Sequence, residues 1–241
     1  MNARVIRIII IVVVLAAVYW YRTRPLQNVD TSAETDAPTA VLRDNPLAGA
    51  SDSAARQTGT SEKPNTVHGY DRFDNARLVD REQNDGDSFF VRLGDREIEL
   101  RLYFVDAPEK YLSDRHESQR QRVAEQAREL GGVSPEQIVE VGKAAKLYVE
   151  RELEDKTFTV YTYWEQVYDG DRYYGFVELP DGGYLGTRLV ANGLARIHSK
   201  GPGSKANPVP TPDGASFHEH RDHLFELERK AKASDRGAWG L

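Results

Sequence analysis

Residues 85–109, DGDSFFVRLGDREIELRLYFVDAPE, decide the fold of this chain because they predict a β-hairpin with charged residues at both ends. In the first half, apolar residues stand at alternate positions, Phe89, Val91 and Leu93. After Gly94-Asp95 a second run alternates in the same way, at Ile98, Leu100, Leu102 and Phe104. Strict alternation is typical of half-buried strands, and a Gly-Asp pair between two such runs is typical of a hairpin turn.

Helices and further strands are predicted downstream of this hairpin. Capping boxes at Ser134/Gln137 and Ser216/Glu219 indicate two helix starts, because each serine and its partner can satisfy free backbone N–H groups. Other elements are a polar helix at 115–130, strands at 158–162 and 174–179, a short helix at 186–192 and a Pro/Gly loop at 199–215. Strands and helices that do not alternate one for one predict an α+β fold or small antiparallel barrel rather than a Rossmann-like sheet.

The composition excludes several classes of protein. Among the 241 residues, 39% are hydrophobic, below the roughly 45–50% of an average globular protein, so we expect part of the chain to lie outside a folded core. The absence of cysteine excludes disulfide scaffolds, cysteine-ligated zinc and cysteine nucleophiles. The net charge of −6 excludes binding to nucleic acid through a global positive field, so a polyanion would need a local basic site or a metal ion.

The chain divides into three segments by composition. Residues 1–25 contain an apolar run, Ile8–Tyr21, between arginines. The aromatic residues 19–21 stand where signal cleavage needs small residues, which favours a single-pass membrane anchor over the alternative of a cleaved signal peptide and secretion. The balanced arginines leave the orientation open. Residues 26–67 lack aromatics and are rich in Ser, Thr, Ala, Asp and Pro, which predicts a disordered linker. Residues 68–241 are predicted to form one domain.

The two ends of the hairpin carry the residues best suited to catalysis. Asp87 precedes the first strand, Arg101 lies on the polar face of the second, and Asp106 and Glu109 follow it. Carboxylates together suit a hard cation such as Ca²⁺ or Mg²⁺, and an arginine beside it can clamp a phosphate. A further carboxylate can activate water, so the set suits phosphodiester hydrolysis. Taken singly, each motif is also a common turn or strand exit.

Several motifs occur in the same order in a known family. Arg101 follows Asp87 by fourteen residues, VDAPE (105–109) comes next, and Arg172 precedes YYGFVELPDG. LVANGLARI (189–197) and a C-terminal Glu/Ala/Gly/Trp pattern at Glu228, Ala231, Gly237 and Trp239 complete the series. Over about residues 70–241 the chain thus resembles the staphylococcal nuclease (thermonuclease) family.

This resemblance implies an OB-fold, a five-stranded antiparallel β-barrel with about three packed helices, that cleaves DNA and RNA with Ca²⁺. It implies metal ligands at Asp87, Asp106 and the backbone carbonyl of Ala107. It also implies that Glu109 positions or activates the attacking water, and that Arg101 and Arg172 clamp the scissile phosphate.

The chain departs from the family pattern at several positions. Gly170-Asp171 precedes Arg172 in place of Tyr-Gly, and His198 and Lys200 stand near positions where the family often has tyrosines. We therefore expect His198 and Lys200 to contact the substrate phosphate instead. The segments 113–131 and 199–215 are longer than in the minimal family domain. Three histidines at 218, 220 and 223 are interpreted as a polar helix start that the family shares, rather than a transition-metal site.

The expected function is therefore a calcium-dependent nuclease acting on DNA and/or RNA, tethered to a membrane by its N-terminal helix and active outside the cytoplasm. The alternative is a non-catalytic OB-fold module that binds nucleic acid or protein, since this fold often serves binding alone. The presence of Asp87, Arg101, Asp106 and Glu109 together favours the enzyme. No obligate protein partner is implied.

Overall fold

The computed structural model describes residues 65–113, 116–168, 170–198 and 200–241. The strands in these ranges are β1 (Asn65–Val67), β2 (Tyr70–Leu78), β3 (Ser88–Leu93), β4 (Arg96–Leu102), β5 (Val105–Asp106), β6 (Phe158–Gln166), β7 (Arg172–Glu178) and β8 (Arg196–Ile197). The helices are α1 (Glu117–Glu129), α2 (Pro135–Leu153), α3 (Leu185–Ala191) and α4 (Phe217–Ala233), followed by a 3-10 turn at Gly237–Gly240. The fold class is α+β.

Six strands form one mixed sheet in the order β1-β2-β3-β4-β7-β6, and β5 pairs with β8 in a second, small sheet. Strand β2 also pairs with β6, so the hydrogen-bonded ladder returns to β2. The expectation of a wholly antiparallel sheet is wrong for β4 and β7, which run parallel. The chain passes through α1, α2 and β6 between these two strands, a long crossover of the kind that parallel pairing needs.

The predicted hairpin is present as β3 and β4, with Ser88 opposite Arg101 and Phe90 opposite Glu99. Its alternation continues only as far as Leu102, two residues short of the predicted strand end. Phe104 is buried and has a φ of +67°, a left-handed conformation that few non-glycine residues adopt. This break turns the chain into β5 and thereby directs Asp106 toward the hairpin.

Both predicted capping boxes are present, at the starts of α2 and α4. The polar segment 115–130 is α1, and the short helix predicted at 186–192 is α3. The described part of the chain therefore has the four α-helices that the residue patterns predict, whereas the family resemblance implies about three. The Pro/Gly loop lies against the sheet, since the Tyr70 hydroxyl donates to the carbonyl oxygen of Pro210 at 2.8 Å.

The sequence analysis missed β1 and β2. Asn65–Val67, placed in the predicted linker, pair with the first residues of β2, so the folded domain begins before residue 68. In β2 the buried or packed residues Tyr70, Phe73 and Ala76 are spaced by three, and the register shifts between Phe73 and Ala76. A strand with such an irregularity lacks the period of two that identifies strands in a sequence.

The predicted anchor, residues 1–25, and the linker up to residue 64 lie outside the described residues. Among the helices of the described ranges, none combines the length and apolar character that a membrane span requires.

His220 of α4 is buried in an aromatic cluster of the core. Its ring centroid lies 4.7 Å from that of Phe104 and 5.9 Å from those of Phe176 and Tyr184. The pKa of His220 is lowered to about 4, mainly by burial, with a contribution from His223 and against the opposing effect of Asp213. Because the imidazole enters the core uncharged, it serves packing here.

We predict that His220 makes the domain acid-sensitive. The unfolded chain protonates this histidine near pH 6.5 and the folded chain only near pH 4, so stability is intact above about 6.5 and is lost as the pH falls toward 4. The loss is about 3 kcal/mol. Urea unfolding at pH 7.5 and pH 4 measures the loss of unfolding free energy between the two pH values. In His220→Phe this loss should be smaller than in the parent by about 3 kcal/mol. The exposed His218, changed to Asn, is the control. An equal acid loss in the parent and in His220→Phe would contradict the prediction.

Candidate active site

Two carboxylates lie buried side by side where β3 begins and β5 ends. Asp87, directly before β3, and Asp106 of β5 are each 3% exposed. The backbone N–H of Ala107 donates to Asp87 Oδ2 at 2.8 Å, and the N–H of Leu102 donates to the Asp87 carbonyl at 2.8 Å. These bonds attach the Asp87 turn to both ends of the segment that carries Asp106.

Arg101 lies between these carboxylates. Its Nη2 is 3.0 Å from Asp87 Oδ2 and 2.7 Å from Asp106 Oδ1. The side chain is 16% exposed, so the guanidinium reaches solvent at one side only. The hairpin register produces this arrangement, because Arg101 stands directly opposite Ser88. The structure thus brings together three of the predicted site residues, Asp87, Arg101 and Asp106.

The two carboxylates differ in their electrostatic surroundings. Burial is the main cause that raises the pKa of Asp87, and Asp106 and Asp85 raise it further while Arg101 opposes the shift. Burial also acts on Asp106, but Arg196, the Gln126 amide and Arg101 outweigh it and lower the pKa of that carboxyl. The additional charge and hydrogen bonds therefore favour the ionised form of Asp106.

Arg196 is a site residue that the sequence analysis missed. Its Nε donates to Asp106 Oδ2 at 2.7 Å, and its Nη1 pairs with Glu129 of α1 at 2.7 Å. The β5–β8 pairing places Arg196 directly opposite Asp106. The residue lies inside the quoted LARI segment, but nothing in that segment indicates that its side chain points to the site.

Gln126 of α1 is the second missed residue. Its Nε2 donates to Asp106 Oδ2 at 3.0 Å and to the Ala107 carbonyl at 3.1 Å. Its Oε1 accepts from the backbone N–H of Glu109 at 3.1 Å. The Ala107 carbonyl, predicted as a metal ligand, therefore already accepts a hydrogen bond from protein. The only sequence signal is that residue 126 shares a helix face with Val123 and Ala127.

Glu109, the predicted residue for water activation, also contacts α1. Within the described ranges its ion pair is with Arg122, whose Nη2 lies 2.8 Å from Glu109 Oε1. The Glu109 side chain is 14% exposed and that of Arg122 is 51% exposed. The carboxylate thus lies at the edge of the site, paired with an exposed arginine rather than with Arg101.

Arg172 of β7 lies on the same face of the sheet as Arg101 of β4, but in register with Glu99, two residues before Arg101. Glu99 stands opposite Arg172, and Arg101 stands opposite Tyr174, two residues on. Its Nη1 lies 3.5 Å from Glu99 Oε1, so its pairing is with Glu99 instead of the buried carboxylates. The structure therefore places the second predicted arginine on the same side of the sheet, outside direct contact with Asp87 and Asp106.

The two predicted substrate contacts differ in their surroundings. His198 is half-buried, and burial lowers its pKa. The nearby Asp106 charge raises this pKa, and the Arg101 charge lowers it. It therefore lies within the electrostatic reach of the site. Lys200 pairs with Glu165, which also accepts a hydrogen bond from the Tyr103 hydroxyl at 2.8 Å. The Lys200 ammonium is held 5.6 Å from the centre of the Tyr174 ring.

The oxygen atoms beside Arg101 are the donors that a hard cation would need at this site. Within the described ranges no group of three or more histidine, aspartate or glutamate side chains has the geometry of a metal site, and this includes the three α4 histidines. Asp87, Asp106 and the Ala107 carbonyl still offer oxygen donors, which Ca²⁺ prefers and completes with water. Both Asp87 contacts fall on Oδ2, so Oδ1 has no hydrogen-bond partner among the described residues.

Two glycines let α2 approach the site closely. A methyl group on Gly86 would lie 2.7 Å from the Ala145 Cβ and 2.8 Å from the Ala107 Cβ. A methyl group on Gly142 would lie 2.4 Å from the Glu109 carbonyl oxygen. The Asp-Gly-Asp turn and the start of the Glu109 segment are therefore both packed directly on α2.

Comparison of the chain with models of known protein families and with curated proteins finds no match in either set. The geometry of the site and the motifs that carry it are therefore the basis for a functional proposal.

We predict that Gly142→Ala lowers the free energy of unfolding by about 1–3 kcal/mol, because the added methyl overlaps the Glu109 backbone. Alanine is otherwise the better helix residue by about 1 kcal/mol. Urea unfolding measures the effect. Ala144→Gly at an exposed position of the same helix is the control and should cost about 1 kcal/mol from helix propensity alone. A stabilised Gly142→Ala variant would show that α2 does not pack as described.

Proposed function

We propose that this chain is a calcium-dependent nuclease that hydrolyses phosphodiester bonds of DNA and/or RNA. The observation that carries the proposal is the Arg101 guanidinium placed between the buried carboxylates Asp87 and Asp106, at 3.0 and 2.7 Å. A guanidinium beside two carboxylates that would hold a cation is suited to a phosphodiester and the charge that develops on it.

We also propose that the strands form an OB-fold barrel. The pairing of β2 with both β3 and β6, together with the parallel contact of β4 and β7, supports it. The strand order around such a closed ladder is β2-β3-β4-β7-β6. The resemblance to the staphylococcal nuclease family implies a five-stranded barrel as well, although one that is wholly antiparallel, and in this barrel the site would lie at the outer face of β4 and β7.

In the proposed reaction each residue has a separate role. Asp87, Asp106 and the Ala107 carbonyl would hold Ca²⁺, which supplies positive charge that polarises the phosphate. Arg101 donates hydrogen bonds to phosphate oxygens and neutralises charge that develops on them. Arg172, on the same face of the sheet as Arg101, contacts another part of the substrate. His198 and Lys200 contact substrate phosphate at the rim of the site.

Glu109 orients the attacking water and accepts its proton. The water oxygen forms a bond to phosphorus while the bond from phosphorus to the leaving sugar oxygen breaks, and that oxygen takes up a proton from solvent. This role requires Glu109 to leave its pair with Arg122 when substrate binds. The Arg122 side chain is 51% exposed, so water solvates its guanidinium once the pair opens.

The second candidate function is a non-catalytic module that binds nucleic acid or protein. The pairing of Glu109 with Arg122 favours it, since this carboxylate is engaged rather than free. The two functions separate on cleavage, because a binding module retains nucleic acid without product and without a requirement for Ca²⁺.

We predict that the full-length chain requires Ca²⁺ to cleave single-stranded DNA and RNA, and that chelation of Ca²⁺ abolishes cleavage. Arg101→Ala should lower kcat at least ~100-fold. Arg101→Lys retains the positive charge between the carboxylates. Arg92→Ala, at an exposed arginine of β3, is the matched control. Circular dichroism and Tm separate loss of folding from loss of chemistry. Binding without cleavage, unchanged by chelator or by Arg101→Ala, would overturn the nuclease in favour of the binding module.

We further propose that residues 1–25 anchor the chain in a membrane with the folded domain outside the cytoplasm. Protease added to intact cells that express the chain should release the domain, whereas a cytoplasmic marker stays intact. A domain that is cleaved only after lysis would contradict this orientation.

A further inference from the structure

Gln126 is a fully buried amide on a helix that is otherwise largely polar and exposed. Its side chain is 0% exposed, and the buried residues of α1 are Val123, Gln126 and Ala127. Burial of an amide is unfavourable unless its hydrogen bonds are made. An apolar residue would pack at this position without that cost, so the amide itself needs a reason.

The hydrogen bonds of Gln126 connect three positions of the VDAPE segment. The Nε2 group donates to the Asp106 carboxylate and the Ala107 carbonyl, at 3.0 and 3.1 Å, while Oε1 accepts from the Glu109 N–H at 3.1 Å. These partners also define the amide orientation. With oxygen and nitrogen exchanged, the oxygen would face two acceptors and the nitrogen would face an N–H.

We propose that Gln126 is a positioning residue, which fixes the Asp106 carboxylate and the Ala107–Glu109 backbone for binding of the cation. The inference rests on the proposed function. Gln126 is too deeply buried to touch a nucleic acid, and its contacts go to the residues that would hold Ca²⁺ and to the backbone of the residue that would orient water. It therefore acts through them.

The chemistry of the side chain fits this role better than its close analogues. Glutamate would have the same shape but would place a third negative charge against Asp106. Methionine would fill the space but leave the Ala107 carbonyl and the Glu109 N–H without this partner, which is unfavourable for buried polar groups. A neutral side chain with both donors and an acceptor meets all three partners.

The role predicts a specific kinetic signature. Residues that orient the ligands of a metal typically change its affinity or the activity 10- to 100-fold when mutated. We expect the Ca²⁺ dissociation constant to rise by about this factor in Gln126→Met, and kcat to fall in both Gln126→Met and Gln126→Glu, while KM for nucleic acid stays within about twofold. If Gln126 only supported the fold, its substitution would lower Tm and leave the Ca²⁺ dissociation constant, kcat and KM unchanged.

The experiment uses the full-length chain and its two Gln126 variants. Gln121→Glu, at an exposed glutamine of the same helix, is the matched control and should behave as the parent. Calorimetric Ca²⁺ titration gives the dissociation constant without reference to activity, and initial rates below the lowest Tm give kcat and KM. In the parent, the NMR signal of the Gln126 side-chain amide should shift on Ca²⁺ addition while that of Gln121 stays, which tests the inference even if both variants unfold.

The outcomes separate the two proposals. A parent chain that binds Ca²⁺ and cleaves, with Gln126 variants that match it in affinity and kcat, overturns the positioning role alone. An unmoved Gln126 amide signal in a parent that binds Ca²⁺ also overturns it. A parent that neither binds Ca²⁺ nor cleaves overturns the proposed function together with this inference.

Discussion

The repulsion between two buried carboxylates, Asp87 and Asp106, is the constraint on which the rest of the site depends. Both are almost wholly removed from water, where an unpaired charge is strongly unfavourable. Arg101 neutralises them from β4, and Arg196 adds charge to Asp106 from β8. Removal of one partner from such a buried pair typically costs 3–5 kcal/mol. The Asp87–Asp106 pair therefore links the hairpin, the β5–β8 pairing and α1, and each of these elements depends on the others there.

The part of this arrangement that could be predicted from the sequence is the part built from local contacts. Asp87, Arg101 and Asp106 lie within one hairpin and its exit, so alternation and a turn suffice to bring them together. The capping boxes at Ser134 and Ser216 are equally local, and the structure confirms both. Strand β2 escaped prediction because its register shift hides the period of two. The parallel contact of β4 with β7 depends on a crossover that no local pattern encodes.

The rest of the site comes from contacts between residues distant in the sequence. Arg196 lies 90 residues from Asp106, and Gln126 lies 20 residues from it on a different element. A polar helix shows few apolar positions from which its buried face can be recognised, so which of its glutamines is buried depends on tertiary packing. Gly142 is similar, since a glycine inside α2 looks unfavourable until the Glu109 backbone is found against it.

Helix α1 makes two kinds of contact with the site, and they differ in strength for a physical reason. Gln126 is fully buried and makes three hydrogen bonds, and each broken bond leaves a buried group unsatisfied. Arg122 pairs with Glu109 from a position that is 51% exposed, where water replaces the partner at little cost. The Arg122–Glu109 pair can therefore open without disturbing the Gln126 hydrogen bonds. In the proposed reaction, the same helix would keep the cation ligands in place and release the carboxylate that orients water.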